Sequence, residues 1–140
     1  MKKLLVIFLS LLATHSFAEE ASGKVFVDAN QNGQMDPGEM GLSNVRVSNG
    51  KEVVRTDGDG RYEIKVDDET ILFVTKPKNF AVPLNLHMLP QFYYIHQPKG
   101  SPTGLRYQGI DPTGPLPEQI NFPLVARPAS EQFSFSNKGP

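Results

Sequence analysis

The sequence predicts an all-β protein, an antiparallel β-sandwich whose C-terminal half is rich in proline and loops. Three observations lead to this fold class. The 140 residues include 12 prolines and 12 glycines, and no stretch has a long amphipathic helical pattern. Short runs that alternate apolar and polar residues recur along the chain. Most of these runs end in a turn signal that contains Gly, Asn or Asp, a succession typical of β-sandwiches.

Five strands are predicted in the N-terminal half of the chain. Asn49-Gly50 is a strong hairpin signal between two of them, and Asp57-Gly58-Asp59-Gly60 is a second tight turn. The last of the five is an unbroken apolar run, as expected of a central strand. The predicted strands cover residues 23–27, 45–48, 53–56, 61–66 and 71–75.

Residues 77–117 have a different composition. Proline occurs there eight times, and each proline removes a backbone donor, so it interrupts a sheet or restricts a strand to an edge. Two more strands are predicted, at residues 92–96 and 119–124. Residues 126–140 are polar and end in Ser-Asn-Lys-Gly-Pro, which predicts a linker. The sandwich domain is therefore expected at residues 23–125.

Residues 1–18 have the features of a signal peptide. Lys2 and Lys3 precede an apolar run at residues 4–13, and Ser16-Phe17-Ala18 is a small-x-small cleavage signal. The apolar run is short for a membrane span. The chain contains no cysteine and therefore no disulfide framework. We expect an exported protein, either periplasmic or secreted, whose mature chain begins near Glu19.

The charge of the mature chain argues against two kinds of partner. Without Lys2 and Lys3, 12 basic residues remain against 15 acidic ones, a net charge of −3. The basic residues form no cluster. We therefore expect no binding to nucleic acid or to an anionic membrane surface.

Residues 28–39 read Asp-Ala-Asn-Gln-Asn-Gly-Gln-Met-Asp-Pro-Gly-Glu, which has the spacing of a twelve-residue calcium loop. In such a loop, oxygens at positions 1, 3, 5, 7, 9 and 12 surround the ion, and a glycine at position 6 makes the sharp turn. A strand precedes the loop, and Pro37-Gly38 prevents the helix that would leave an EF-hand. The alternative is a polar turn that binds no metal. The predicted Ca²⁺ ligands are Asp28, Asn30, Asn32, the carbonyl of Gln34, Asp36 and Glu39.

Two further motifs follow this loop. They are Gly-Leu-Ser-Asn-Val-Arg-Val at 41–47 and Thr-Asp-Gly-Asp-Gly-Arg-Tyr at 56–62. With the loop, they make residues 23–64 resemble calcium-binding sandwich modules of the transthyretin-like or adhesin B-repeat type. The resemblance implies an Ig-like or transthyretin-like β-sandwich with a structural calcium ion. Such modules serve many functions, so the resemblance gives the architecture only.

The second half carries another set of motifs. These are Leu-Pro-Gln-Phe-Tyr-Tyr-Ile-His-Gln-Pro-Lys-Gly-Ser-Pro at 89–102, Pro-Thr-Gly-Pro-Leu-Pro at 112–117 and Phe-Pro-Leu at 122–124. With them, nearly all of the mature chain resembles the N-terminal domain that precedes the catalytic domain of calcineurin-like metallophosphoesterases. The resemblance implies that a dimetal phosphatase follows. Its G-D-x-H, G-D-x-x-D, G-N-H and G-H-x-H motifs do not occur in this sequence, so we expect this chain alone to be non-catalytic. The linker at 126–140 would lead to the missing catalytic domain.

Several polar residues have two interpretations. Asp57 and Asp59 could join the calcium shell, although Asp also suits a tight turn for backbone reasons, and we favour the turn. His87 and His96 could be ligands or acid–base groups. Neither has a paired carboxylate nearby in the sequence, so a structural role is favoured. Lys99-Gly100-Ser101 lacks the upstream glycine of a phosphate-binding loop.

Phe92, Tyr93 and Tyr94 suggest an alternative function. A free-standing secreted module could bind a glycan or a protein through these rings. Period two instead places Phe92 and Tyr94 on one face of a strand and Tyr93 on the other. Packing in the core and against a second domain is then the simpler interpretation. The alternative needs an exposed apolar surface, and burial of all three rings would remove its main support.

Overall fold

A computed structural model of the chain describes residues 19–127. These residues form eight strands and no helix, in two four-stranded sheets, so the predicted all-β sandwich is confirmed. None of the described segments is a helix that could cross a membrane. The strands are β1 (Glu19–Val27), β2 (Arg46–Ser48), β3 (Val53–Arg55), β4 (Arg61–Val66), β5 (Thr70–Thr75), β6 (Phe80–Ala81), β7 (Tyr93–His96) and β8 (Phe122–Ala126).

The strand order shows how the chain builds the two sheets. One sheet has the order β4-β1-β8-β6 and the other β3-β2-β5-β7. All neighbouring strands are antiparallel except β1 and β8, which run parallel. The predicted antiparallel sandwich therefore has one parallel pair. A parallel pair needs a long crossover, and the path from β2 to β7, which passes through both sheets, provides it.

The observed strands differ from the predicted ones mainly at their ends. β1 begins at Glu19, four residues before the predicted start, because Glu19 pairs with Val66 of β4. The sequence does not predict β6, whose two residues are too few for a periodic pattern. Ala126, predicted to open the linker, is the last residue of β8, and Arg127 N donates to Asn79 O at 2.7 Å. The rest of the predicted linker, at 128–140, and the predicted signal peptide, at 1–18, lie outside the described residues.

The core lies between the two sheets and follows the alternation of the strands. Along β4, every second residue is buried, and burial of these apolar side chains is the main favourable term in folding. Tyr62 satisfies its buried hydroxyl by donating to Ile120 O at 2.6 Å. Burial raises the pKa of the Tyr62 hydroxyl. The buried apolar residues are Ala21, Val25, Phe26, Val45, Val47, Tyr62, Ile64, Val66, Leu72, Val74, Ile120, Phe122 and Leu124.

Three backbone segments meet at Val25 in β1, in an arrangement that we call the glycine junction. Val25 N donates to Gly60 O, and Leu42 N donates to Val25 O, each at 2.8 Å. A Cβ atom on Gly41 would overlap the carbonyl group of Asp59. Gly60 has a φ of 78° and would place a Cβ against Val25 O. Both positions therefore require glycine, since a side chain would separate the three segments.

The glycine junction leads to a prediction about stability. Gly41→Ala should lower the free energy of unfolding by about 3 kcal/mol, because the new methyl group overlaps backbone atoms that other hydrogen bonds hold in place. Urea unfolding followed by circular dichroism measures this change. Gly58→Ala is the matched control, since a Cβ there has no neighbour within 4 Å. Equal stability of the two variants would contradict the role given to the junction.

Candidate functional site

The loop at 28–39 is closed at its neck by hydrogen bonds. Val27 N donates to Met40 O at 2.9 Å, so the chain returns beside the strand from which the loop departs. The Glu39 carboxylate spans the base of the loop. Its Oε1 accepts a bond from Ala29 N at 2.9 Å, and its Oε2 accepts one from Asp36 N at 3.0 Å. The last predicted ligand thus joins the two ends of the loop.

Asp28, the first predicted ligand, is buried at the end of β1. Only 1% of its surface is exposed, and its backbone N donates to Leu124 O of β8 at 2.9 Å. Its two carboxylate oxygens accept bonds from Asn32 N at 3.2 Å and Gly33 N at 2.8 Å. A charged buried group needs such donors. The Asp28 carboxylate therefore fixes the sharp turn at Gly33, whose φ is 76°.

Three of the other predicted ligands converge on one point. The amide nitrogens of Asn30 and Asn32 each lie 2.7 Å from Asp36 Oδ2. The carbonyl of Gln34 accepts no hydrogen bond from any described residue, whereas Gln34 N donates to Asn32 Oδ1 at 2.8 Å. The loop therefore brings side chains from positions 3, 5 and 9 together.

The two asparagines and Asp36 meet through the amide nitrogens and one carboxylate oxygen. Among residues 19–127, no three His, Asp or Glu side chains come close enough to hold one metal ion. The carboxylates of Asp28, Asp36 and Glu39 therefore do not meet. Amide and carbonyl oxygens are also good ligands for Ca²⁺. An Asn amide carries its oxygen and nitrogen on the same carbon, so rotation about one bond turns either atom toward a neighbour.

Asp57 and Asp59 have the turn role that the sequence favours. Asp57 Oδ1 accepts bonds from Asp59 N at 2.9 Å and from Arg61 N at 2.8 Å. The bond from Arg61 N lowers the pKa of the Asp57 carboxyl. Asp59 is exposed, and its Oδ2 lies 3.4 Å from the Arg61 guanidinium. Both carboxylates thus make their hydrogen bonds within the turn.

The two histidines are not brought together. His87 is exposed, and its backbone N donates to Asn85 Oδ1 at 2.9 Å. His96 is 3% exposed, and its Nε2 lies 4.0 Å from a carboxylate oxygen of Glu19. His96 Nδ1 has no hydrogen-bond partner among the described residues. The sequence analysis favours a structural His96, and the structure adds Glu19, which is 77 positions away and cannot be paired with it by spacing.

The aromatic segment follows its predicted alternation. Phe92 and Tyr94 pack against the core, whereas Tyr93 lies on the opposite face and is 44% exposed. Burial raises the pKa of the Tyr94 hydroxyl. Tyr93 remains accessible, so the three rings are not all buried. The alternative binding function therefore keeps its main support.

The structure has a groove beside the loop that the sequence does not predict. It has a volume of about 370 Å³, and one wall is formed by Gln31, Asn32 and Gly33 of the loop. The other lining residues come from the segments at 83–85, 91–94 and 120–123. These segments are far apart in the sequence and carry no shared motif, so only the folded chain reveals the groove.

The sequence matches a known protein family. Residues 29–109, more than half of the chain, match the family described as the N terminal of calcineurin-like phosphoesterase. The chain belongs to this family. The match covers β2–β7, and the structure adds β1 and β8, which complete the sheet that carries the loop. No curated protein matches the chain.

Asp57 leads to a prediction about pH. Because its pKa is lowered on folding, its carboxylate stabilises the protein above the ordinary value of 3.8, and this contribution is lost as the pH falls through the folded-state pKa. Asp57→Asn retains an acceptor oxygen but does not titrate. We expect this variant to lose less stability than the wild type between pH 6 and pH 3, as measured by urea unfolding.

The control for this measurement is Asp111→Asn. Asp111 is exposed and accepts no hydrogen bond from a described residue. Its replacement should leave the acid dependence of unfolding close to that of the wild type. An identical acid dependence in Asp57→Asn and the wild type would show that the turn does not use the charge of Asp57.

Proposed function

We propose that this protein is an exported, non-catalytic module that precedes and orients the catalytic domain of a calcineurin-like phosphoesterase, with a structural calcium ion in the loop at 28–39. Membership of the N-terminal family carries the proposal, since an N-terminal domain implies a catalytic domain in the same chain. Hydrolysis of phosphate esters would belong to that following domain. Export rests on the signal-peptide features of residues 1–18.

The geometry of the loop supports the calcium assignment. Asn30, Asn32 and Asp36 already converge, the Gln34 carbonyl is available, and the loop's neck is held closed. An ion at this point would draw the same groups together and would link β1 to the segment that returns at Met40. Its role would be structural, because binding to the folded state alone stabilises that state by mass action.

We expect the affinity for calcium to be low. Only three of the six proposed ligands carry a charge, and the carboxylates of Asp28 and Glu39 already accept bonds from backbone N–H groups. Calcium sites in extracellular modules typically have a Kd of about 10⁻⁴ to 10⁻³ M. An exported protein meets calcium in that concentration range more readily than a cytosolic one.

A surface for the catalytic domain is offered by the segment at 83–91, which we call the apolar hairpin. Its backbone is well bonded, since Gln91 N donates to Pro83 O at 2.8 Å and Asn85 N to Leu89 O at 3.0 Å. Its tip nevertheless exposes large apolar side chains. Leu86 is fully exposed, and Met88 is 72% exposed. Clustered apolar exposure of this kind marks interaction sites.

The path of the chain brings this surface and the next domain close together. β8 is the last described strand, and it pairs with β6 at Phe80–Ala81. Arg127 N then bonds to Asn79 O, so the chain leaves the sandwich beside the strand that leads into the apolar hairpin. A domain joined by the predicted linker would be tethered on this side of the sandwich, within reach of Leu86 and Met88, and burial of these side chains would fix its orientation.

The calcium proposal is tested by Asp36→Asn. The wild type should gain about 1.4 kcal/mol of stability at a calcium concentration ten times a Kd of about 1 mM, whereas Asp36→Asn should gain much less, because it loses the charge at the convergence point. Thermal unfolding with CaCl₂, MgCl₂ and EDTA measures the gain. Asp28→Ala is a poorer test, since it also removes a buried acceptor of two backbone bonds.

Asp111→Asn serves again as the matched control, because it removes one exposed carboxylate outside the loop. It should respond to calcium as the wild type does. A wild-type melting temperature that is the same in calcium and in EDTA would overturn the metal assignment and leave the loop as a polar turn.

The domain proposal is tested on the native protein. Immunoblotting of the source cells with an antibody to residues 23–125 should give a band well above 15.5 kDa. In that longer protein, the amides of the apolar hairpin should exchange with deuterium more slowly than in the present chain. The double variant Leu86→Ser, Met88→Ser should raise their exchange by on the order of tenfold, which corresponds to about 1.4 kcal/mol of docking energy.

Ile71→Ser is the control, since Ile71 is 53% exposed on β5 and lies outside the apolar hairpin. A native band at the mass of this chain would contradict the domain proposal. Equal exchange of the apolar hairpin in the longer protein and in this chain would contradict the proposed contact surface.

A further inference from the structure

We propose that the groove beside the loop is a binding site for a neutral saccharide. The groove is lined by five side-chain amides and two tyrosines, above a floor of apolar residues from β8 and the segment before it. Its volume of about 370 Å³ is at the lower end of the range for ligand pockets and would hold roughly one or two sugar rings. This proposal does not rest on the phosphoesterase function.

The charge of the groove selects the class of ligand. None of its thirteen lining residues is Lys, Arg, His, Asp or Glu. A phosphate, a carboxylate or an acidic peptide would therefore find no counterion there, and burying a charge without a partner is costly. A neutral ligand with many hydroxyl groups suits a surface of amides, because each amide can both donate and accept.

Four of the lining amides keep free hydrogen-bonding groups. Asn121 Oδ1 accepts from Lys24 N at 2.8 Å, and its Nδ2 has no acceptor among the described residues. Asn85 Oδ1 accepts from His87 N and Leu89 N, and its Nδ2 likewise has no acceptor among the described residues. Gln91 donates through Nε2 to Leu89 O, and its Oε1 accepts from no described residue. The fourth, Gln31, makes no side-chain bond within the described chain. Asn121, Asn85 and Gln91 are therefore held by hydrogen bonds and still have one free end, which places them well to bind hydroxyl groups.

Tyr93 provides an accessible aromatic side chain among the residues that line the groove. Its ring lies edge-on to Phe92, with centroids 5.3 Å apart, and it is 44% exposed. The C–H face of a sugar ring packs on an aromatic ring, whose π face is negative. Period two directs Tyr93 away from the core, so its exposure is set by the strand and not by a mobile loop.

Gln31 gives a further indication that the loop wall is specialised. Its φ is 59°, in the left-handed region that residues other than glycine seldom adopt. Such backbone conformations persist where the surrounding structure enforces them, and they are concentrated at binding sites. Here the Asp28 carboxylate enforces the turn through Asn32 N and Gly33 N, which places Gln31 on the groove.

The test begins with an array of neutral glycans that also carries sialylated and sulfated glycans. The whole chain is applied once in CaCl₂ and once in EDTA, so that failure of the calcium site alone does not decide the result. We expect at least one neutral glycan to be bound. The best neutral binder is then titrated into ¹⁵N-labelled protein, where saturable shifts should occur at residues 31–33, Asn85, Tyr93 and Asn121.

Three variants complete the test. Tyr93→Ser should weaken binding about tenfold by removing the stacking surface. Asn121→Asp should also weaken it, because it keeps the acceptor for Lys24 N and removes the amide donor. Tyr107→Ser is the control, since Tyr107 is 76% exposed outside the groove, and it should bind as the wild type does.

Binding to acidic glycans alone would overturn the proposal, as would the absence of any bound neutral glycan. Shifts confined to residues outside the groove would also overturn it. Equal loss of affinity in Tyr93→Ser and Tyr107→Ser would indicate non-specific binding to the surface and would contradict the proposed site.

Discussion

The structure depends on the close approach of three backbone segments at Val25. There β1 bonds to the turn at Gly60 on one side and to the segment at Leu42 on the other. Hydrogen bonds of 2.8 Å between backbones leave no room for a side chain at Gly41 or Gly60. This contact brings the end of the loop back beside its beginning.

The loop then has two consequences for the surface. Its polar side chains turn inward and converge on Asp36, while its outer backbone at Gln31 and Gly33 becomes a wall of the groove. The buried Asp28 carboxylate supports both the convergence point and the groove wall, because it accepts a hydrogen bond from Gly33 N and so fixes the turn. A cation in the loop and a sugar in the groove would therefore share one rigid support. Any energetic coupling between them would be reciprocal.

The tip of the apolar hairpin has a different character from the groove, although Pro83, Leu84, Asn85 and Gln91 of the hairpin also line the groove. The tip carries exposed apolar side chains, although its backbone is held by hydrogen bonds. The groove is concave, amide-rich and uncharged. One surface is suited to a second folded domain and the other to a small polar ligand. The apolar hairpin and ten of the thirteen residues that line the groove follow β5 in the chain, where prolines limit regular pairing and leave long segments on the surface.

The sequence by itself determined what depends on neighbouring residues. Alternation predicts β4 and the faces of Phe92, Tyr93 and Tyr94, because side chains alternate along any strand. The spacing at 28–39 predicts a calcium loop, which stays a prediction, and turn chemistry assigns Asp57 to its own turn. The family resemblance at 89–124 follows from local motifs as well.

Only the tertiary structure decided what depends on residues far apart in the chain. The parallel pairing of β1 with β8 joins residues almost 100 positions apart, and no periodicity encodes it. The same holds for the proximity of His96 to Glu19 and for a groove built from four segments. The two residues of β6 form a strand only because β8 lies beside them. Long-range backbone hydrogen bonds and packing fix these features. A local sequence pattern does not specify which distant segment will contact it.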